Sequence, residues 1–344
     1  MNHLSSIAHG LETVPFGRTG MRITRVGFGA WALGGGDWAV GWGSQEDTAS
    51  IAAIRHAVGR GINWIDTAAV YGLGRSERVV GMALRDIPPS ERPYVFTKCG
   101  LVWDEANPKA MPRQSANPRS IRREVEDSLR RLGVEQIDLY QVHWPSEDGT
   151  PVEEYWQAML DLKREGKVRA VGLSNHDAAQ LARAEALGHV DTLQPPFSAI
   201  RRAAAAAELP WCNAHQTGVI VYSPMQSGLL SGAFNRARAR ALPADDWRSR
   251  SADFTGEGLD RNLALAEGLT RIARRYGVTT AAVAIAWTLA WPGVTAAIVG
   301  ARSPAQVDGW VGASAVDLSA ADLEEIAQTI ERTGAGSGPT RPEV

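Results

Sequence analysis

Four residues of four types stand where proton chemistry could be done. Asp66 closes the run NWID, Tyr71 follows in AAVYG, Lys98 closes YVFTK and His143 closes LYQVH. Taken singly, each has an ordinary structural role: the aspartate caps a turn, the lysine is solvated, the tyrosine is half-buried, the histidine packs. Together they suit the reduction of a carbonyl, which needs hydride at carbon and a proton at oxygen. An unperturbed phenol has a pKa of about 10 and donates poorly at neutral pH. A nearby ammonium stabilises phenolate and lowers that value, and a carboxylate paired with the ammonium holds it in place. An imidazole can orient the carbonyl oxygen by hydrogen bonding. Tyr71, Lys98, Asp66 and His143 supply those parts in that order.

Such residues must be held at one level by the elements that carry them. Eight short β-rich runs read as strands: Val26–Gly29, Asn63–Asp66, Tyr94–Lys98, Ile137–His143, Val168–Ser174, Thr192–Gln194, Gly218–Tyr222 and Ala296–Gly300. Amphipathic stretches between them read as helices, among them Glu46–Arg60, Pro118–Leu132, Val152–Glu165 and Pro304–Gly312, and the run Ala203–Ala207 has high helix propensity. Pro118 and Pro304 suit a first helical turn. The alternation predicts an α/β fold with right-handed crossovers, and eight repeats predict a (β/α)8 TIM barrel with its chemistry at the C-terminal strand ends. A doubly wound open sheet would place a glycine fingerprint between its first strand and helix. Here GFGAWALGGG leads instead into a long loop, Leu33–Gln45, which reads as mobile. Between Tyr222 and Ala296 the spacing predicts a loop, Met225–Ser251, and two helices, Gly258–Tyr276 and Thr280–Ala290. Residues 1–12 read as a flexible tail, 13–332 as one barrel domain, and 333–344, TGAGSGPTRPEV, as a disordered tail.

Composition narrows the partners. A net charge of -2 over 344 residues argues against nucleic acid and an anionic membrane surface. No apolar run reaches the length of a membrane span, and the start carries no signal-peptide pattern. The two cysteines, Cys99 and Cys212, lack metal-ligand spacing, so no metal is expected; they read as reduced thiols in the cytoplasm.

The four residues resemble the Asp-Tyr-Lys-His tetrad of the aldo-keto reductase superfamily. The resemblance runs from about Val14 to about Arg332 and includes WIDTAAVYG, EGKVRAVGLSN, QPPFS, VYSPMQSGLLSG and IVGARSPAQV. GAWALGGGDW, QVHWP and VGARSPAQV are most similar to bacterial general-stress members. The resemblance implies reduction of aldehydes or ketones, or the reverse, with Tyr71 as general acid and NADPH/NADP+ preferred over NADH. It implies cofactor contacts as well. Ser174, Asn175 and Gln194 match the nicotinamide amide site, and Tyr222 matches the ring that stacks on it. Ala30 and Trp31 lie toward the ribose, with Asp66 beside them. Ser223, Pro224, Met225, Gln226, Ser227 and Gly228 match the pyrophosphate loop, and Gly300, Ala301, Arg302 and Gln306 the adenosine end. Aldose reductases carry a lysine and an arginine near the positions of Gly300 and Gln306; here Arg302 is the residue suited to the 2′-phosphate.

Of the twelve tryptophans, Trp31, Trp38, Trp42, Trp103 and Trp144 fall in loops at the catalytic face, and Trp31, Trp38, Trp103 and Trp144 are the candidates for a substrate pocket. Arg236, Arg238 and Arg240 read as a solvated helix face. The partner expected is a small carbonyl or alcohol. The rival reading is a cofactor-binding regulatory barrel resembling potassium-channel β subunits.

Overall fold

The computed structural model describes residues 11–243 and 246–342; the first ten residues of the expected flexible tail lie outside them. Eight parallel strands close into a barrel in sequential order: β1 (Val26–Gly29), β2 (Trp64–Asp66), β3 (Tyr94–Cys99), β4 (Ile137–Val142), β5 (Val168–Ser174), β6 (Thr192–Gln194), β7 (Gly218–Val221) and β8 (Ala296–Gly300). Closure is made by β8 on β1, with Ala297 opposite Val26 and Gly300 opposite Gly29. The (β/α)8 expectation holds, each strand within a residue of its predicted bounds.

Strand side chains alternate with period two, so each inward residue has another inward residue two positions further up. Trp64 and Asp66 share one inward face, as do Phe96 and Lys98. The lower layer is apolar: Trp64, Phe96, Leu139, Ala170, Ile220, Ala296 and Ile298 form one buried cluster. Trp64 stacks on Phe96 at 5.3 Å and donates its indole N–H to the Thr24 carbonyl at 2.8 Å. Room for that indole comes from Gly27, where a Cβ would lie 2.1 Å from the ring. The polar layer begins one step above.

Below the barrel, Thr13–Pro15 pairs antiparallel with Arg22–Thr24. This hairpin drives Phe16, Met21 and Ile23 into the same cluster, all essentially inaccessible to solvent. The lower end is therefore plugged, and only the upper end is open to chemistry.

Helix α1 (Asp47–Gly59), α2 (Arg75–Arg85), α3 (Pro118–Leu132) and α4 (Val152–Arg164) follow strands β1 to β4. Asn117 caps α3 by accepting from the Arg119 N–H, with Pro118 in the first turn. Three local expectations are corrected. The run Ala203–Ala207 forms only a 3-10 turn, Ala203–Ala205. The stretch Pro304–Gly312 breaks after Pro304–Asp308 and resumes as a 3-10 turn, Val311–Ala315, with Gly309 at the break. Residues 333–342 are tied down where disorder was expected. Arg202, buried, donates to the carbonyls of Ala335 and Gly338, the Ser337 N–H donates to Ile200, and Arg341 pairs with Glu324 and Glu331. Low-complexity composition did not disclose these distant acceptors and donors.

His176, just above β5, provides a pH test of the fold. Its ring joins the Tyr155 hydroxyl at 2.7 Å and the Ser174 carbonyl at 2.8 Å. Burial lowers its pKa to about 4, against a smaller raising effect from the Ser174 carbonyl and Asp177. Between pH 6.5 and 4 the unfolded chain therefore binds a proton that the folded chain refuses. Stability from His176 is complete above pH 6.5 and is lost as pH falls toward 4, by up to about 3 kcal/mol. Urea unfolding of wild type and His176→Gln across that window checks this; an equal loss in both chains would refute it.

Candidate active site

The polar layer above Trp64 and Phe96 brings Asp66, Lys98, Tyr71 and His143 together. Lys98 is fully buried and its Nζ donates to Asp66 Oδ2 at 2.6 Å and to the Thr67 carbonyl at 2.8 Å. The other Asp66 oxygen accepts from Gln194 Nε2 at 2.9 Å, which fixes the carboxylate from across the barrel. The Lys98 ammonium lies 5.2 Å from the Tyr71 ring centre. The His143 ring meets Tyr71 edge-on at 5.6 Å. Neither the Tyr71 hydroxyl nor either ring nitrogen of His143 has a hydrogen-bond partner among the described residues, whereas Asp66 and Lys98 are bonded on several sides.

The electrostatics correct one part of the initial reading. Tyr71 is pushed well above the ordinary phenol value, first by burial and then by the charge of Asp66 and by Tyr222. That rise stands although the Lys98 ammonium, paired with Asp66, lies near the ring. Tyr71 is thus a firmly protonated phenol at neutral pH. Burial, and secondarily Lys98, holds His143 well below the usual imidazole range, so it is neutral. Burial lowers the Lys98 ammonium against the opposing pull of Asp66, and raises Asp66 against Lys98 and Gln194.

A second ring of residues surrounds the four. Ser174 donates to the Gln194 carbonyl at 2.9 Å. Asn175 donates to the His143 carbonyl at 2.9 Å and accepts from the Tyr222 hydroxyl at 2.8 Å. Asn175, Ser223, Gln226 and Ser227 all adopt left-handed backbone with φ of 63°, 56°, 44° and 52°. Such conformations cost roughly 1–3 kcal/mol each for non-glycine residues and gather at ligand clamps. A Cβ on Gly228 would meet open space, and one on Gly300 only the Gly29 carbonyl oxygen at 3.7 Å. This surround of amide groups and a strained, curled segment fits a dinucleotide laid across the mouth.

The loop after β1 is anchored, contrary to its reading as mobile. Its glycines serve close approach: a Cβ on Gly34 would sit 2.6 Å from the Gly72 nitrogen and 2.9 Å from the Tyr71 carbonyl carbon. Trp31 stacks on Tyr71 at 6.1 Å and Trp38 tilts against it at 6.5 Å; Trp103 packs on the same cluster. Trp144 is 38 % exposed. Trp42 bridges the mouth, edge-on to Trp31 at 5.2 Å and to Trp247 at 6.4 Å, with Arg248 over its ring. The Nε1 atoms of Trp31, Trp42 and Trp247 are buried without an acceptor among the described residues.

Arg302 latches this loop. It donates to the carbonyls of Trp42 and Ser44 and to Gln45 Oε1, while Gln45 Nε2 returns a bond to the Arg302 carbonyl. The Arg302 N–H donates to Gln306 Oε1 at 2.7 Å. Gly300 and Ala301 lie at the β8 end beside it. Trp247, Arg248 and Gln45 had no local signal: each acts through a partner far away in sequence. The expected solvated face is the short helix Arg236–Arg240, with none of its residues buried and Arg236 paired to Asp260.

Residues 25–331 match the model of the Aldo/keto reductase family. The chain is 36% identical over 333 residues to the NADH-specific methylglyoxal reductase of Escherichia coli (strain K12), covering 94% of this chain and 100% of that one. It is 33% identical to Aldo-keto reductase YhdN of Bacillus subtilis (strain 168), covering 97% of both. Among solved structures, the glycerol dehydrogenase AKR11B4 from Gluconobacter oxydans superposes with a TM-score of 0.86 at 35% identity, over 96% of this chain and 98% of that one.

Proposed function

The chain belongs to the aldo/keto reductase family, and on that premise we propose that it reduces aldehyde or ketone carbonyls to alcohols, Tyr71 supplying the proton. Its class, an oxidoreductase of carbonyl compounds, follows from the family. The observation that carries the finer reading is the pair of unpartnered groups at the mouth: the Tyr71 hydroxyl, held protonated, and the neutral His143 ring. A carbonyl oxygen set between them accepts an N–H from His143 and then the phenol proton as negative charge develops. Lys98, fixed by Asp66, presents fixed positive charge to the forming phenolate. Microscopic reversibility runs the same parts as alcohol oxidation.

The hydride comes from a nicotinamide cofactor when one is bound. Ser174, Asn175, Gln194 and Tyr222 would hold its nicotinamide end, Ala30 and Trp31 the ribose, Ser223–Gly228 the pyrophosphate, and Gly300, Ala301, Arg302 and Gln306 the adenosine. The substrate side is lined by Trp31, Trp38 and Trp103, with Trp144 at the rim. We place the enzyme in the cytoplasm: Cys99 and Cys212 are buried and unpaired, which suits a reducing compartment. No helix among the described residues is long and apolar enough to cross a membrane. The test is cofactor consumption with a generic aldehyde such as 4-nitrobenzaldehyde. Turnover supports the enzyme; tight cofactor binding with no turnover on a panel of aldehydes and ketones overturns it in favour of a regulatory barrel.

For the cofactor, the reading is NADPH over NADH, through Arg302. Its guanidinium is held by neutral acceptors, with no carboxylate in ion-pair range among the described residues, so its charge remains available to an anion. The Escherichia coli relative is named as specific for NADH, which makes the preference worth measuring directly. A charge-assisted contact to phosphate is worth about 1.5–3 kcal/mol. Arg302→Ala should therefore weaken NADPH by roughly ten- to a hundredfold and NADH much less. Equal weakening of both in fluorescence titrations, or a wild type that prefers NADH, removes Arg302 as the phosphate reader.

A further inference from the structure

Away from the barrel mouth, α2 and α3 enclose a groove of about 400 Å³ lined by Arg75, Arg78, Arg85, Arg130 and Arg131, against two aspartates, Asp47 and Asp127. Arginine accumulates there in a chain whose net charge is -2. Three of the five are engaged: Arg75 with Asp47 at 2.7 Å, Arg130 with Asp127, and Arg131 with the buried Glu77. Arg78 and Arg85 are exposed and have no ion pair or hydrogen bond among the described residues. The side chains converge. A Cβ on Gly74 would lie 2.8 Å from Arg131 Cδ and 3.1 Å from Arg78 Nη1, so arginines of two helices meet over one glycine. Val79 and Met82 supply an apolar floor between them.

We propose that this groove is a second anion site, for an oligophosphate: two or three linked phosphates, free or carried by a nucleotide. Guanidinium groups present paired donors that match phosphate oxygens, and several at once favour a multivalent anion over chloride. The volume suits a small ligand. A long nucleic acid would need many more cations along its path than one walled groove provides. Like charges this close repel one another, and a bound polyanion relieves that repulsion. The site stands independently of the reaction assigned to the mouth.

Calorimetric titration with inorganic tripolyphosphate and, separately, with ATP, at constant ionic strength, tests the proposal. Wild type binds one equivalent of tripolyphosphate. The exposed pair exchanged together, Arg78→Ser with Arg85→Ser, loses at least about tenfold in affinity, keeps the wild-type circular dichroism and keeps basal turnover. The control Arg238→Ser with Arg240→Ser, in the other basic stretch, binds as wild type does. Tighter binding of ATP than of tripolyphosphate, abolished by the Arg78/Arg85 exchange, assigns the ligand to the nucleotide class; equal binding assigns the phosphate chain alone. Absence of saturable tripolyphosphate binding, binding unchanged in the Arg78/Arg85 chain, or equal loss in the control each overturns the site.

Discussion

Replacing Tyr71 with phenylalanine is expected to lower carbonyl reduction by roughly 10²–10⁴-fold, the usual worth of a positioned general acid. The fold should not register the change. The Tyr71 hydroxyl has no hydrogen-bond partner among the described residues, so removing it breaks no internal bond, and the ring contacts to Trp31, Trp38 and His143 survive in phenylalanine. Cofactor affinity should stay near wild type for the same reason. Because the phenol is held well above its ordinary value, its ionisation should leave no limb in the pH profile of reduction below about pH 10. Stopped-flow reduction rates and cofactor titrations of the two chains read this directly. A phenylalanine chain within about threefold of wild type falls far short of general-acid catalysis and ends the assignment.

The second large effect belongs to Asp66 and Lys98 as a unit. Their bond is 2.6 Å long and almost wholly out of water. Lys98→Met leaves the Asp66 carboxylate buried without its cation, and Asp66→Asn leaves the ammonium without its anion. Breaking a buried pair from one side destabilises by about 3–5 kcal/mol, while removing both charges is far milder. The double variant should therefore unfold at a higher temperature than either single variant. Catalytically, each single change removes preorganised charge beside Tyr71, a loss of roughly 10²–10³-fold. Residues acting as one unit are not additive, so the double variant should be little slower than the slower single. Single-turnover rates for all four chains decide it; losses that multiply fully would show that the two residues act independently.

The strands were legible because runs buried on both faces are short, apolar and end in a polar residue, and WID and FTK show that ending directly. Spacing of two then puts Asp66 above Trp64 and Lys98 above Phe96, which is why the four residues could be gathered from the chain alone. Protonation was not legible in the same way. The state of Tyr71 depends on burial and on the neighbouring charge of Asp66, and both are properties of the assembled mouth. The bridge of Trp42 to Trp247, the clasp of Gln45 on Arg302 and the hold of Arg202 on residues 335–338 join segments far apart in sequence. No local pattern announces them, and each altered an expectation about a loop or a tail.

The plug beneath the barrel imposes an order on synthesis. Phe16 leaves the ribosome early, yet the backbone it rests on is Gly218, where a Cβ would lie 2.5 Å from its ring. Arg18 likewise waits for Gln216, to whose side chain it donates at 2.9 Å. One edge of β1 waits longer still, for Ala296–Gly300. At about 5–20 residues per second the delay is on the order of tens of seconds. Throughout it an apolar hairpin and an open strand edge are present on the nascent chain, the kind of surface that pairs with a neighbour if left uncovered. Completion is an end-to-end event, in which the last strand to be made seals the first.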